Sequence, residues 1–235
     1  MLPPIEQRRK EVALTPPRPG FKPALRYHWL TNFYDGVVGR AMPEREFKSA
    51  LIAQARIGHG QRVLDFGCGT ATLTLMIEAE APAVEAVGVD VDERALKIAV
   101  DKARMRNSKV RLERISPGVL PFPGAWFDRV VSCLVFHHLR RDEKRAALKE
   151  CLRVLCPDGE LHIADWGRPA NGLLRGGFLL TQLLDGFETT ADNARGLLGE
   201  FVSQAGFERV EETAHFPTVF GSLRLIRACR PSQIP

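Results

Sequence analysis

The run VLDFGCGTATL at residues 63–73 carries an apolar strand through a glycine turn into a helix. Val63, Leu64 and Phe66 surround one carboxylate, Asp65, a pattern suited to a strand covered on both faces. Arg62–Phe66 therefore reads as a strand and Ala71–Glu80 as a helix, joined through Gly67, Cys68 and Gly69. Outward from that point the alternation repeats. Ala86–Val91 reads as a strand, Glu93–Met105 as a helix, Val110–Ile115 as a strand, and Arg129–Phe136 (RVVSCLVF) as the most apolar strand. A helix at Asp142–Leu155, closed by Pro157-Asp158-Gly159, leads to a strand at Leu161–Asp165. Such β-α alternation predicts an α/β doubly wound sheet, mostly parallel, with helices on both faces. The end of the chain differs. A helix at Leu197–Ala205 precedes strands Glu208–His215 and Ser222–Cys229, whose short link allows antiparallel pairing near the C-terminal edge of the sheet.

Composition bounds the function. The 235 residues are 45% hydrophobic, 26% charged and 8% aromatic, an ordinary globular balance that excludes disordered and fibrous classes. No apolar run approaches the roughly 20 residues needed to span a bilayer, so no integral membrane segment is expected. The N-terminus lacks the apolar core of a secretory signal. The formal net charge of +5 suggests a nucleic-acid partner only until it is located. Arg8, Arg9, Lys10, Arg18 and Lys22 stand against Glu6 and Glu11 in residues 1–24, leaving the remainder nearly neutral. That remainder has no basic groove, so a small-molecule partner is expected rather than nucleic acid. Five cysteines without a CxxC pair do not form a disulfide framework, and a reducing cytoplasm suits them.

Residues 1–24 also hold six of the sixteen prolines and read as a basic, proline-rich tail ahead of one domain over 25–235. Residues 25–58 turn helical and aromatic, with Tyr27, Trp29, Phe33, Tyr34 and Phe47, and Trp29, Phe33 and Tyr34 form either plain core or a lid that excludes water. Residues 168–196 form an insertion whose Phe178, Leu179, Leu183, Leu184 and Phe187 suggest a wall for an apolar substrate.

Ligands of open α/β sheets bind beyond the carboxyl ends of the strands, near the point where strand order reverses. Gly67 and Gly69 let a ligand approach the backbone there, with the next helix pointing its N-terminus at it. Asp90 ends the second strand, at the distance along the chain where an acid can accept both hydroxyls of a ribose. An adenosine ligand follows. A dinucleotide turn needs GxGxxG, and Thr72 occupies the third glycine position. Asp65 beside the turn repels a pyrophosphate but suits a cation. S-adenosylmethionine, with an amino group and a sulfonium, therefore fits better than NAD, and an NAD-dependent oxidoreductase is the weaker alternative.

The segments VLDFGCGTATL (63–73), VGVDVDERALKIA (87–99), LPFPGAWFDRVVSCLVFHHL (120–139) and LRVLCPDGELHIADW (152–166) together resemble class I S-adenosylmethionine-dependent methyltransferases. The resemblance is to the small-molecule group that includes ubiquinone and menaquinone biosynthesis enzymes, and it implies a Rossmann-like fold. It also implies that Asp65, Gly67, Cys68 and Gly69 hold the methionine end, Asp90 the ribose, and Val91 the adenine ring. The resemblance further places Cys133 and its neighbour Leu134 of the fourth strand beside the cofactor, largely through backbone, and implies that Tyr34 reaches the cofactor from the N-terminal segment. Two positions depart from the family. Ser116, followed by Pro117, stands where an acid usually binds the adenine amino group, and Ala71 stands where a third glycine is common.

His137 and His138 follow the fourth strand on the reaction side, where one imidazole can act as a base or merely satisfy the backbone. Asp165 and Trp166 end the fifth strand and can line the substrate, whereas His162 inside that strand reads as a buried structural histidine. No cysteine–histidine spacing resembles a zinc site, so no metal is expected. Methyl transfer to an O, N or C atom of a small, apolar molecule is the expected function. A non-catalytic methyltransferase-like scaffold or activator is the alternative.

Overall fold

The computed structural model describes residues 44–169, 174–176, 178, 182, 186–218 and 221–232. The tail over 1–24, Tyr34, and the lid residues before Glu44 lie outside the described residues. The elements are α1 (Glu44–Ala55), β1 (Arg62–Phe66), α2 (Thr72–Glu80), β2 (Glu85–Asp90), α3 (Glu93–Met105), β3 (Arg111–Arg114), β4 (Phe127–Cys133), α4 (Arg141–Val154), β5 (Leu155–Gly167), α5 (Phe187–Ala194), α6 (Leu198–Gln204), β6 (Glu208–Thr218) and β7 (Gly221–Cys229). A single 3-10 turn, Phe136–His138, joins β4 to α4.

The strands form one seven-stranded sheet in the order β3-β2-β1-β4-β5-β7-β6. Pairing is parallel from β3 to β5, and β7 runs antiparallel between β5 and β6, as the strand spacing predicted. Strand order reverses between β1 and β4, so the carboxyl ends of both open on one crevice. The two faces are filled by alternate residues of the same strands. Leu64, Val130 and Ile163 point into a core with Leu148 of α4 and Phe201 of α6. Their neighbours Val63, Val131 and Ala164 point the other way, against Phe47 and Leu51 of α1 and Ile77 of α2. Period-two alternation with both faces apolar is what makes these strands read as continuous hydrophobic runs. Each fully buried leucine on either face contributes about 1.5–3 kcal/mol relative to exposure.

Local chemistry sets the ends that matter for the crevice. Asp92 caps α3, its Oδ1 accepting from Arg94 N at 2.8 Å and Ala95 N at 3.4 Å. That satisfies two of the amides a helix start leaves open. Two expected boundaries are corrected. The fourth strand does not reach Phe136. Leu134 adopts a left-handed backbone (φ 59) while its N–H donates to Ala164 O at 2.8 Å, so β4 stops at Cys133 and the chain turns across β5. Pro157-Asp158-Gly159 is not a separate turn between helix and strand. The chain passes from α4 straight into β5 at Leu155, and the three residues form an irregularity in the pairing with β4, between Phe127↔Leu155 and Arg129↔Glu160. Among the described residues no helix is long and apolar enough to cross a membrane.

Candidate active site

The crevice begins at the glycine turn. The N–H groups of Gly67 and Cys68 both donate to Val89 O of β2 at 2.9 Å, which pins the turn over the strand ends. Gly67 sits at φ 75, and a Cβ there would lie 2.4 Å from a methyl of Val135, so the turn packs directly on the exit of β4. Gly69, at φ 53, faces the other way. A Cβ on it would meet nothing within 4 Å, so its backbone is open to a ligand. Asp90 closes the far side. Its Oδ2 accepts from Gly69 N at 2.7 Å and its Oδ1 from Asp92 N at 2.8 Å. Burial raises the Asp90 pKa above the usual carboxylate value while these backbone donors pull it back. Ile115 N donates to Asp90 O at 2.9 Å, which ties the chain just ahead of the exposed Ser116 and Pro117 to the strand end that carries Asp90. Val91 follows, half-buried.

Asp65 lies beneath the turn, 1% exposed, and accepts from Thr74 Oγ1 of α2 at 2.6 Å. Burial raises its pKa to about 6, against the opposing pull of the Thr74 hydroxyl and of Lys48 on α1. A cationic ligand beside it would favour the ionised form, the electrostatic match that the sequence suggested. Lys48 also bonds Glu44 at 2.5 Å. It brings a positive charge to the Asp65 side of the crevice, and its helical position gave no sign of this. Cys133 is half-buried at the end of β4, and burial pushes its thiol up to about 12. Burial pushes Cys68 up further. Burial thus disfavours the thiolate, the nucleophilic form, at both positions.

Past the carboxyl ends of β4 and β5, His137 and Asp165 meet. His137 is 3% exposed, and its Nδ1 lies 2.7 Å from Asp165 Oδ1. Asp165 also accepts from the backbone N–H groups of Phe136 and Trp166, each at 2.7 Å, and from Asn193 Nδ2 at 3.4 Å. Every partner given to Asp165 is an N–H, so His137 Nδ1 is assigned as the protonated nitrogen and the lone pair falls on Nε2. His138 stacks on His137 with ring centroids 3.9 Å apart. Burial, then the neighbouring His137 and Lys144, hold the His138 pKa well below the usual histidine value. His162 is a structural residue, as its place in the strand implied. It is fully buried between Gln54 Nε2 (2.9 Å) and Glu160 Oε2 (3.2 Å).

The insertion supplies what the sequence concealed. Helix α5 was not expected, since FETTADNA has little apolar period. Polar bonds dock it instead. Asn193 Nδ2 donates to Trp166 O at 2.9 Å, Lys144 Nζ of α4 to Thr189 O at 2.6 Å, and Arg141 pairs with Asp192. Lys144 is 0% exposed, and burial lowers its pKa. Trp166 in turn packs edge-on against Phe178, with centroids 6.1 Å apart. The insertion is thus held to the sheet by a buried apolar contact and by polar bonds. Among the described residues no group of acids, histidines and cysteines is arranged to hold a metal.

A family model described as a methyltransferase domain matches residues 63–159, from β1 into β5. The demethylmenaquinone methyltransferase of Deinococcus radiodurans is 33% identical over 137 residues, covering 58% of this chain and 56% of that protein. The ubiquinone/menaquinone biosynthesis C-methyltransferase of Azotobacter vinelandii is 30% identical over 208 residues, covering 80% of each. In structure, phosphoethanolamine N-methyltransferase 2 of Haemonchus contortus, solved with S-adenosylmethionine, superposes with TM-score 0.67 at 15% identity over 84% of this chain and 56% of that one, a likeness of fold alone. Strand order, glycine turn and strand-end acids are those of the class I S-adenosylmethionine-dependent methyltransferases. Within that class the chain belongs to the ubiquinone/menaquinone biosynthesis C-methyltransferase family. It spans about half the length of some curated relatives, 56% in the Deinococcus case.

Proposed function

We propose that the chain transfers a methyl group from S-adenosylmethionine to a small apolar acceptor, and that the acceptor is a ring carbon of a hydroxylated, quinol-like molecule. The observation that carries the cofactor is the pairing of an open Gly69 backbone with Asp90, bonded to it at 2.7 Å. This cradle fits the ligand. Asp90 oxygens retain lone pairs for ribose hydroxyls, Asp65 accepts the amino group, and Lys48 attracts the carboxylate. When bound, the cofactor supplies an electrophilic methyl with a neutral thioether as leaving group. The protein then has to align acceptor, methyl and sulfur and keep water away. His137, oriented by Asp165, takes the hydroxyl proton of a neutral acceptor, which makes the ring carbon nucleophilic; once the methyl is bonded, the hydrogen on that carbon leaves as a proton and the oxygen is reprotonated, which restores the quinol. Trp166, edge-on to His137 with centroids 6.4 Å apart and backed by Phe178, keeps the surroundings of that imidazole apolar. The names of the relatives, which act on quinones at carbon, support this acceptor class. Five free cysteines support a reducing, cytoplasmic setting.

Thermal unfolding with added ligand tests the cofactor. S-adenosylmethionine or S-adenosylhomocysteine at about 100 times its dissociation constant adds about 2.7 kcal/mol, or roughly 5–10 °C for a domain of this size. NAD and NADP give no shift. A shift with a nicotinamide cofactor alone overturns the reading, and binding without turnover on a quinol panel favours a scaffold instead.

Asp90→Ala weakens S-adenosylhomocysteine by about 1.5–3 kcal/mol, roughly 10- to 150-fold, because a charged acceptor of two hydroxyls is removed. The chain still folds, since Asp90 is not part of either core. Calorimetry that returns wild-type affinity for the folded variant removes Asp90 from the ribose site.

A further inference from the structure

The turn that cradles the ligand contains a strained residue. Ala71 lies in the left-handed region (φ 57, ψ 26), where a Cβ crowds its own backbone and glycine is the usual occupant. It is 0% exposed, its N–H donates to Cys68 O at 2.8 Å, and no side chain caps the helix that starts beside it. Its methyl has a use. It fills the seam between α2 and α3 against Leu75, Ala99 and Ala103. Packing accounts for the alanine but does not hold the turn in that conformation.

A cation from α3 reaches both residues flanking Ala71. Lys102 Nζ donates to Thr70 Oγ1 at 2.8 Å and to Thr72 Oγ1 at 3.4 Å. Thr70 precedes the left-handed residue and Thr72 opens α2, so one ammonium ties the loop to the first helical turn across the strained position. The placement is rigid, because Ala99 and Ala103 on either side of Lys102 bury α3 against Ala71 itself. Two residues upstream lies Gly69, whose N–H is aimed at Asp90. Any relaxation of Ala71 toward the ordinary helical or extended regions would swing Gly69 away from that acid.

We infer that Lys102 is a positioning residue for the cofactor turn: by bridging Thr70 and Thr72 it holds Ala71 left-handed and keeps Gly67–Gly69 set for the ligand. The inference rests on the reading that this turn binds S-adenosylmethionine. Lys102 acts through the backbone of the turn, and the lysine does here what a glycine at position 71 would do unaided.

The test pairs two substitutions in the full chain, with S-adenosylhomocysteine as the probe. Lys102→Met keeps the length of the stem but loses the ammonium. Its dissociation constant rises at least about 10-fold, on the scale of one left-handed strain released. Its kcat at saturating S-adenosylmethionine stays within about twofold of wild type, since no reacting group has changed. Ala71→Gly alone binds within about threefold of wild type, and the double variant Ala71→Gly/Lys102→Met returns to that level. A Lys102→Met protein that binds as wild type overturns the inference. So does a double variant as weak as Lys102→Met, which would mean that the lysine touches the ligand directly. A ligand-free measurement separates this from the proposed function. Amide exchange at Ala71 and Leu73 speeds up in Lys102→Met and recovers in the double variant, and unchanged exchange overturns the clamp. Wild-type protein that binds no S-adenosylhomocysteine sinks the cofactor reading, while the exchange result still decides whether Lys102 holds the turn.

Discussion

His137→Ala loses at least about 100-fold in kcat on a neutral hydroxylated acceptor, the lower range for a missing general base. The argument is geometric. Asp165 Oδ1 sits 2.7 Å from His137 Nδ1, and two backbone N–H groups at 2.7 Å hold that carboxylate in place. The imidazole therefore cannot turn its other nitrogen inward without breaking a buried charge-assisted bond, and Nε2 is the basic atom. His138 is the weaker base, because burial and its neighbours keep it neutral well below pH 7. His138→Ala accordingly costs less than His137→Ala. Affinity for S-adenosylhomocysteine stays within about threefold in both variants, since neither residue touches the glycine turn or Asp90. The choice of acceptor separates catalysis from structure. With an acceptor already ionised at the assay pH, the difference between variant and wild type collapses. Equal kcat for wild type and His137→Ala across pH 6–9 would leave Asp165 with a purely structural role and methyl transfer with a positional mechanism.

The sequence made the sheet legible because apolar alternation and glycine punctuation carry it directly. Val63/Leu64 and Val130/Val131 are adjacent apolar pairs, and each pair divides between the two cores. The candidate cofactor cradle was legible as a geometry for the same reason, since Gly67, Gly69, Asp65 and Asp90 lie at strand ends that periodicity locates. What stayed hidden depends on contacts between elements. Lys48 and Lys102 look like ordinary solvated lysines on helices, yet one faces Asp65 and the other crosses to Thr70. Helix α5 was invisible because it docks through Asn193, Asp192 and Thr189 rather than through an apolar stripe. The early stop of β4 follows from left-handed Leu134, a residue type that gives no warning of that conformation. The pairing of His137 with Asp165 spans 28 residues and needs the parallel register of β4 and β5 to exist.

Away from the crevice, Glu160→Gln costs about 3 kcal/mol of stability, the scale for removing one partner from a buried ion cluster. Glu160 accepts from Arg227 at 2.7 Å and lies 3.5 Å from Arg129 and 3.3 Å from Arg56, with His162 Nε2 at 3.2 Å. Its side chain is 8% exposed, and those of Arg129 and Arg227 are 16% and 28% exposed. Substitution leaves cationic groups crowded together without their carboxylate. For a domain of this size the loss lowers Tm by roughly 6–12 °C. The effect has a pH signature. The hydrogen bond from His162 and the surrounding arginines hold the Glu160 pKa down at about 2, against 4.5 when unfolded. The unfolded chain therefore binds this proton first, so the contribution is complete above pH 4.5 and drains away as pH falls toward 2. His162 opens an earlier window with the same direction. Burial lowers its pKa below 6.5, and Gln54 Nε2 is a donor facing Nδ1, so unfolding is favoured as soon as the unfolded histidine takes up a proton. Urea unfolding of wild type then shows stability declining from pH 6.5 downward and falling more steeply below 4.5. The gap between wild type and Glu160→Gln does not shrink from pH 7 to 5, since Glu160 also supports a protonated His162, and it narrows from 4.5 to 3. A gap that stays the same down to pH 3 would mean that Glu160 contributes through packing rather than charge.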